Sequence, residues 1–117
     1  MVDRCAKTLL VSADGAFEEI LLDEPLWSSL QKAVGGFFEV VHPRLLAAPY
    51  CMVVDEEGLL KGLPVNKAGS CLCGHPVVGG IAFMREGRNA DGEPDLLGLT
   101  DDDMIELRVY IASFLSL

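Results

Sequence analysis

The segment from Gly69 to Gly80, GSCLCGHPVVGG, contains two thiols and an imidazole at alternate positions. If this segment is extended, Cys71, Cys73 and His75 point to one face, because side chains alternate along a strand. Three ligands on one face can hold zinc, but a structural zinc site usually takes four, commonly from two closely spaced pairs. The other candidate ligands, Cys5, Cys51 and His42, lack that spacing. We therefore expect core or loop thiols, with no metal and no cofactor, and zinc binding remains an alternative.

Two acidic clusters, at 55–57 and 101–103, have residue types that serve in acid–base or metal chemistry. Calcium loops need ligands at spaced positions, so a solvated turn and a helix N-terminus explain these runs better. Neither histidine has a serine or cysteine partner at a motif spacing, and nucleophile-elbow and P-loop patterns are absent. No catalytic residue can be named, and these observations favour a non-enzymatic protein without deciding the question.

The composition limits the class of protein and its partners. The chain has 117 residues, half of them apolar, and we expect one domain over residues 1–117 that folds without disulfides. No signal peptide or membrane span is apparent, so we expect a cytoplasmic protein with free thiols. A formal charge of −9 disfavours direct binding to nucleic acid or to anionic lipid. The charge serves solubility or, alternatively, imitates nucleic acid for a basic partner.

The elements that position these residues follow from periodicity and turn chemistry. Two strands joined at Asp14-Gly15 form a possible hairpin, and a helix with Pro25 in its first turn, capped by Asp23 or Glu24, ends at Gly35. Further patterns predict a strand in FFEVVHP, a hairpin over residues 50–63 and a loop over residues 66–74. They also predict a strand that ends in IAFMRE, an exposed turn-rich segment after that strand, and a helix that begins after Thr100. We predict an α+β fold: a mostly antiparallel sheet of four or five strands with two helices on one face.

Two motifs carry a resemblance to a known family. They are Val34-Gly35-Gly36-x-x-Glu39 and Glu56-Glu57-Gly58 followed by Leu63-Pro64-x-Asn66. Over residues 20 to 115 the chain resembles the domain-of-unknown-function family 3846, whose members occur in Gram-positive bacteria, their phages and mobile elements. The family pattern has Asn where this chain has Asp55, and it lacks a recurrent Cys-x-Cys-x-His. The resemblance implies an association with these bacteria, their phages or mobile elements, and it identifies no catalytic residue.

The motifs also indicate where a ligand would bind. Glu39 interrupts an apolar strand pattern, and the amide of Asn66 can both donate and accept hydrogen bonds. The plainer interpretations are an outward strand residue and a turn residue. Because glycines permit close approach, we predict that any ligand site is formed by Gly35, Gly36, Glu39 and Asn66.

The function expected from these features is a binding or regulatory module, associated with phages or mobile elements, that sequesters a protein or a small ligand. The two alternatives are an acidic decoy that binds a basic host protein, and a zinc protein that uses Cys71, Cys73 and His75. A mean hydropathy of +0.34 in so short a chain predicts more apolar area than one core hides. We therefore expect a two-fold homodimer formed through a sheet edge or a helix face.

Overall fold

The computed structural model describes residues 6–116 of the chain. These residues form six strands and three helices. In chain order the elements are β1 (Ala6–Val11), β2 (Phe17–Leu22), α1 (Leu26–Val34), β3 (Phe38–Val41), β4 (Tyr50–Asp55), α2 (Lys67–Cys73), β5 (Ile81–Arg88), β6 (Pro94–Leu97) and α3 (Asp101–Leu115).

All strands belong to one antiparallel sheet in the order β2-β1-β5-β4-β3. β6 pairs with the second half of β5, from Arg85 to Arg88, while β1 pairs with its first half. The predicted α+β class and the mostly antiparallel sheet are therefore confirmed. The sheet has one strand more than the four or five expected, because β6 lies in the segment predicted to be an exposed turn region.

The two faces of the sheet are both covered. In β4, Met52 and Val54 join a core with α2 and α3, whereas Cys51 and Val53 join a second core with α1. The prediction of two helices on one face was wrong: α1 covers one face, and α2 and α3 cover the other. The physical reason is that the central strands are apolar on both faces, as expected for strands that are covered twice.

Several local predictions are confirmed. β1 and β2 form the expected hairpin around Asp14-Gly15, and α1 ends at Gly35. Thr100 and Asp103 form a reciprocal capping box at the start of α3. The start of α1 differs from expectation, because Pro25 itself occupies the N-cap position and no side chain caps the helix.

The region after β4 differs most from the prediction. Residues 59–63 do not return as a strand; residues 56–62 form successive turns, closed by bonds such as that from the Leu63 amide to the Gly58 carbonyl. The segment expected to be a loop over 66–74 instead contains the helix α2, which Asn66 caps and Gly74 ends. Among the described residues, no helix is long and apolar enough to cross a lipid bilayer.

Candidate functional site

Gly35 and Gly36 end α1, and their close approach is used within the chain. Gly35 has φ of 99°, a conformation that L side chains rarely adopt, and both glycine amides donate to the carbonyl of Gln31. Lys61 Nζ lies 3.1 Å from the Gly35 carbonyl oxygen and 2.6 Å from Asp55 Oδ2. A Cβ on Gly36 would lie 2.8 Å from that nitrogen. The space that a ligand was expected to occupy therefore holds Lys61.

Asp55 is buried, although the sequence suggested a solvated turn over residues 55–57. Its carboxylate accepts hydrogen bonds from Lys61 and from the amide of Glu57. The bond from Lys61 lowers the pKa of Asp55 below its usual value, against the opposing effect of burial. Glu56 and Glu57 remain exposed, as expected. Asp55 thus links the start of the turn region to the end of α1.

Asn66 has no exposed surface, and its side chain is engaged within the chain. Nδ2 donates to the carbonyl oxygens of Val11 at 3.0 Å and Gly79 at 2.9 Å. Oδ1 accepts from the amide of Gly69 at 3.0 Å, which caps α2. Both amide hydrogens are used by backbone carbonyls, so Asn66 has no donor left for a ligand in this conformation.

Glu39 lies apart from Asn66. It is exposed on the edge strand β3 and pairs with Val54 of β4. The strands β4 and β5 separate it from β1, whose Val11 binds Asn66. Three strand spacings of about 4.8 Å place Glu39 about 14 Å from that part of β1. Glu39 and Asn66 therefore occupy separate places, and neither of them, nor Gly35 or Gly36, lines either groove described below.

The thiol and imidazole groups of the opening motif do not share a face. Cys71 and Cys73 lie in α2, where residues two apart point about 200° from each other. Cys73 is buried, and His75 is exposed beyond the end of the helix. Within residues 6–116 no group of three or more His, Cys, Asp or Glu residues could hold a metal ion. Cys5, also considered as a ligand, lies outside the described residues.

The two buried thiols, Cys51 and Cys73, are also poorly suited to nucleophilic chemistry. Burial raises the pKa of Cys51 to about 12, and burial likewise raises the pKa of Cys73 above its usual value. His42 contacts Glu86, and His75 contacts the carbonyl of Pro76. In the described part of the chain neither histidine hydrogen-bonds a serine or a cysteine, so the arrangement of an activated nucleophile is missing there.

A groove lies between α3 and the segment that joins β3 to β4. We call it the α3 groove, and its volume is about 800 Å³. Ile105 and Val109 of α3 border it with their side chains 63% and 68% exposed. Arg44, Glu106 and Tyr50 provide the polar groups along an otherwise apolar wall. The remaining lining residues are Leu45, Leu46, Ala47, Leu107 and Tyr110.

Hydrogen bonds from two tyrosines fix both walls of the α3 groove. The Tyr110 hydroxyl donates to the carbonyl of Leu45, which ties α3 to the segment opposite. The Tyr50 hydroxyl lies 2.7 Å from Asp103 Oδ1 and 2.9 Å from Glu106 Oε2, which ties β4 to α3. Both walls of the groove are thus fixed by hydrogen bonds within the chain, and a site with fixed walls loses less entropy on binding.

Asp103 anchors the polar end of this arrangement. Arg85 of β5 donates to both of its carboxylate oxygens, at 2.9 and 3.1 Å, and the amide of Thr100 donates at 2.8 Å. Burial alone would raise the pKa of Asp103, but the hydrogen bonds from Thr100, Tyr50 and Arg85 hold that pKa below its usual value. Burial and the two carboxylates raise the pKa of Tyr50, so its hydroxyl stays protonated.

Comparison with protein families bears on the chain as a whole. The sequence pattern of a domain of unknown function, DUF3846, matches residues 6–111. The chain belongs to the DUF3846 family. The resemblance noted from the glycine and Glu-Glu-Gly motifs is therefore confirmed. In this DUF3846 domain the motif residues mainly build the fold: the glycines end α1, Asp55 binds Lys61, and Asn66 caps α2.

Among solved structures, the DUF3846 domain is similar to part of the small RNA methyltransferase HEN1. The TM-score is 0.63 at 12% sequence identity, and the similarity covers 94% of this chain and 16% of that one. At this identity the likeness concerns the fold alone. No curated protein matches the sequence of this chain at a significant level.

The α3 groove was not predicted from the sequence, although a signal for it exists. On α3, Leu107 and Ile111 recur at helical spacing and are buried in the core. Ile105 and Val109 form a second apolar stripe on the same helix, four residues apart. A helix that is apolar on more than one side needs a second covering surface, and this criterion would have indicated the groove.

Proposed function

We propose that this DUF3846 domain is a non-enzymatic binding module that sequesters a partner protein by holding an amphipathic segment of it in the α3 groove. The observation that carries the proposal is the groove itself, with its apolar wall, its few polar groups and its volume of about 800 Å³. Sites with this composition and size are typical of ligand binding.

The exposed stripe on α3 favours a peptide as the occupant. Ile105 and Val109 are neighbours on one face of the helix and remain largely uncovered. Contiguous exposed apolar surface commonly marks a protein interaction site. A helix of a partner that places apolar side chains at matching intervals would cover this stripe, as in other helix-in-groove complexes.

Charge favours a partner segment with basic residues beside its apolar face. The chain carries a formal charge of −9, which accelerates encounter with a basic partner and disfavours an acidic one. Arg44 and Glu106 carry opposite charges at the groove and would fix the direction of the bound segment. The same charge supports the alternative of an acidic decoy for a basic host protein, and a phage or mobile-element setting would suit either role.

Selection from a displayed peptide library tests the proposal, using the parent protein and the variant Val109→Asp. Val109 is exposed, so the variant should fold like the parent while it places a charge in the groove. The matched control is Leu59→Asp, which changes a side chain that is 81% exposed and does not line the groove. We expect peptides with an amphipathic, basic pattern that bind the parent and the control and bind Val109→Asp at least tenfold more weakly. Equal binding to all three proteins would refute the groove as the binding site.

A further inference from the structure

The opposite face of the sheet carries a second cleft, lined by an uncovered aromatic residue. It lies among α1, β3, β5 and β6, has a volume of about 390 Å³, and we call it the Trp27 cleft. The ring centroids of Trp27 and Phe38 are 4.5 Å apart, so Phe38 supports the indole within the fold. Trp27 nevertheless remains 60% exposed. Tryptophan is usually far more buried, so much of this ring is available to a ligand.

Two carboxylates lie beside this aromatic wall. Glu86 of β5 and Asp95 of β6 both line the Trp27 cleft. One oxygen of Glu86 contacts His42, and one oxygen of Asp95 accepts from the amide of Leu96. Among the described residues no lysine or arginine pairs with either carboxylate. The cleft therefore combines an open π face with two carboxylates that pair with no lysine or arginine of the described residues, although Glu86 contacts His42.

We infer that the Trp27 cleft binds the guanidinium group of an arginine side chain from a partner protein. A guanidinium is planar and weakly hydrated, so it stacks on an indole and at the same time donates paired hydrogen bonds to carboxylates. Its positive charge complements Glu86 and Asp95, and its methylene stem can lie on the apolar wall formed by Val40 and Leu96. An ammonium ion offers the same charge without the planar surface.

This inference does not depend on the α3 groove. The two clefts lie on opposite faces of the sheet, because Leu30 and Phe38 belong to the core under α1 whereas Leu46 and Leu107 belong to the core under α3. A failure of one proposal therefore leaves the other intact. Binding at both faces would let the domain engage two partners, or two parts of one partner.

Fluorescence titration tests the inference, because Trp27 is the single tryptophan of the chain and its emission reports on this cleft alone. The probes are N-acetyl-arginine amide, N-acetyl-citrulline amide and N-acetyl-lysine amide, at constant ionic strength. Citrulline has nearly the shape of arginine without the charge. We expect saturable quenching with arginine, with lysine weaker and citrulline at least about tenfold weaker.

The variants Glu86→Gln and Asp95→Asn should each weaken arginine binding about three- to tenfold. The matched control is Asp102→Asn, which makes the same change of charge on α3 and should bind arginine like the parent. Amide chemical shifts in NMR spectra provide a second measurement, and those of Val40 and Leu96 should move with arginine. Equal binding of citrulline, equal binding of lysine, or identical behaviour of all three variants would each overturn the inference. If 50 mM arginine causes neither quenching nor shift changes, the inference is also overturned. That concentration is about a hundredfold above a submillimolar dissociation constant for arginine.

Discussion

The variant Asn66→Ala should destabilise the domain, because one side chain serves three backbone groups. Removal of the acceptor costs the cap of α2, worth about 1 kcal/mol. Removal of the two donors leaves the carbonyls of Val11 and Gly79 each without one hydrogen bond in a site with no solvent exposure, at about 1 kcal/mol or more for each. The expected loss in the free energy of unfolding is therefore about 3 kcal/mol, a large share of the total for a small domain.

The variant Asn66→Asp separates the cap from the rest of the network. Aspartate is as good an N-cap residue as asparagine, so a role limited to the cap predicts almost no loss. A carboxylate cannot donate to Val11 and Gly79, and it would place negative charge against two carbonyl oxygens. We therefore expect Asn66→Asp to be at least as destabilising as Asn66→Ala.

Urea unfolding followed by Trp27 fluorescence and circular dichroism measures both variants. A loss of about 3 kcal/mol moves the midpoint down by about 1 to 3 M. The matched control is Asn89→Ala, which removes an asparagine that accepts from the amides of Asp91 and Glu93 in a surface turn and should cost under about 1 kcal/mol. If the Asn66 variants unfold at the parent's midpoint, the reasoning is wrong and Asn66 becomes available as a ligand residue.

Three further predictions concern titration, metal and assembly. Because hydrogen bonds lower the pKa of Asp103 in the folded state, its contribution to the free energy of unfolding is complete above the usual pKa of 3.8 and is lost as the pH falls through the lower folded pKa. The variant Asp103→Asn should lower stability at pH 7. It should also reduce the loss of stability in acid, measured by urea unfolding between pH 2 and 5. Replacing Cys71 and Cys73 by serine should leave the chain folded, with zinc below one equivalent by elemental analysis before and after; tightly bound stoichiometric zinc, lost together with the fold on chelation, would contradict this. We expect a two-fold dimer through the outer edge of β2, where Leu21 is exposed. The variant Leu21→Lys should sediment as a monomer at tens of micromolar. A parent protein that is already monomeric at that concentration would contradict the expectation.

Five of the six strands and the helices α1 and α3 could be predicted because their signals are local. Thr100 and Asp103 form a capping box within four residues, and Asp14-Gly15 forms a turn between alternating segments. α2 was missed because its seven residues, KAGSCLC, have little helical pattern, and its stability comes from the cap by Asn66 and from burial. β6 was missed because its four residues, PDLL, begin with proline and aspartate, both of which are depleted in strands.

The candidate sites were harder to predict because they depend on contacts between distant residues. The motif glycines suggested an open place, and only the fold shows that Lys61 fills it. Trp27 and Asp95 are 68 positions apart in the chain and line one cleft. No period or spacing in the sequence links such residues. Their exposure, which decides between a core residue and a binding residue, is a property of the assembled layers.

Asp103 has a consequence for how this family can change over time. Its carboxylate completes the capping box of α3, binds Arg85 of the central strand β5 and accepts a hydrogen bond from the hydroxyl of Tyr50. Replacing Arg85 removes the only cation that pairs with the buried carboxylate of Asp103 among the described residues, which is costly unless a second replacement follows. We expect positions 50, 85, 100 and 103 to covary among homologues as a unit. Homologues that lose the carboxylate should also lose the arginine, and their α3 should begin in a different way.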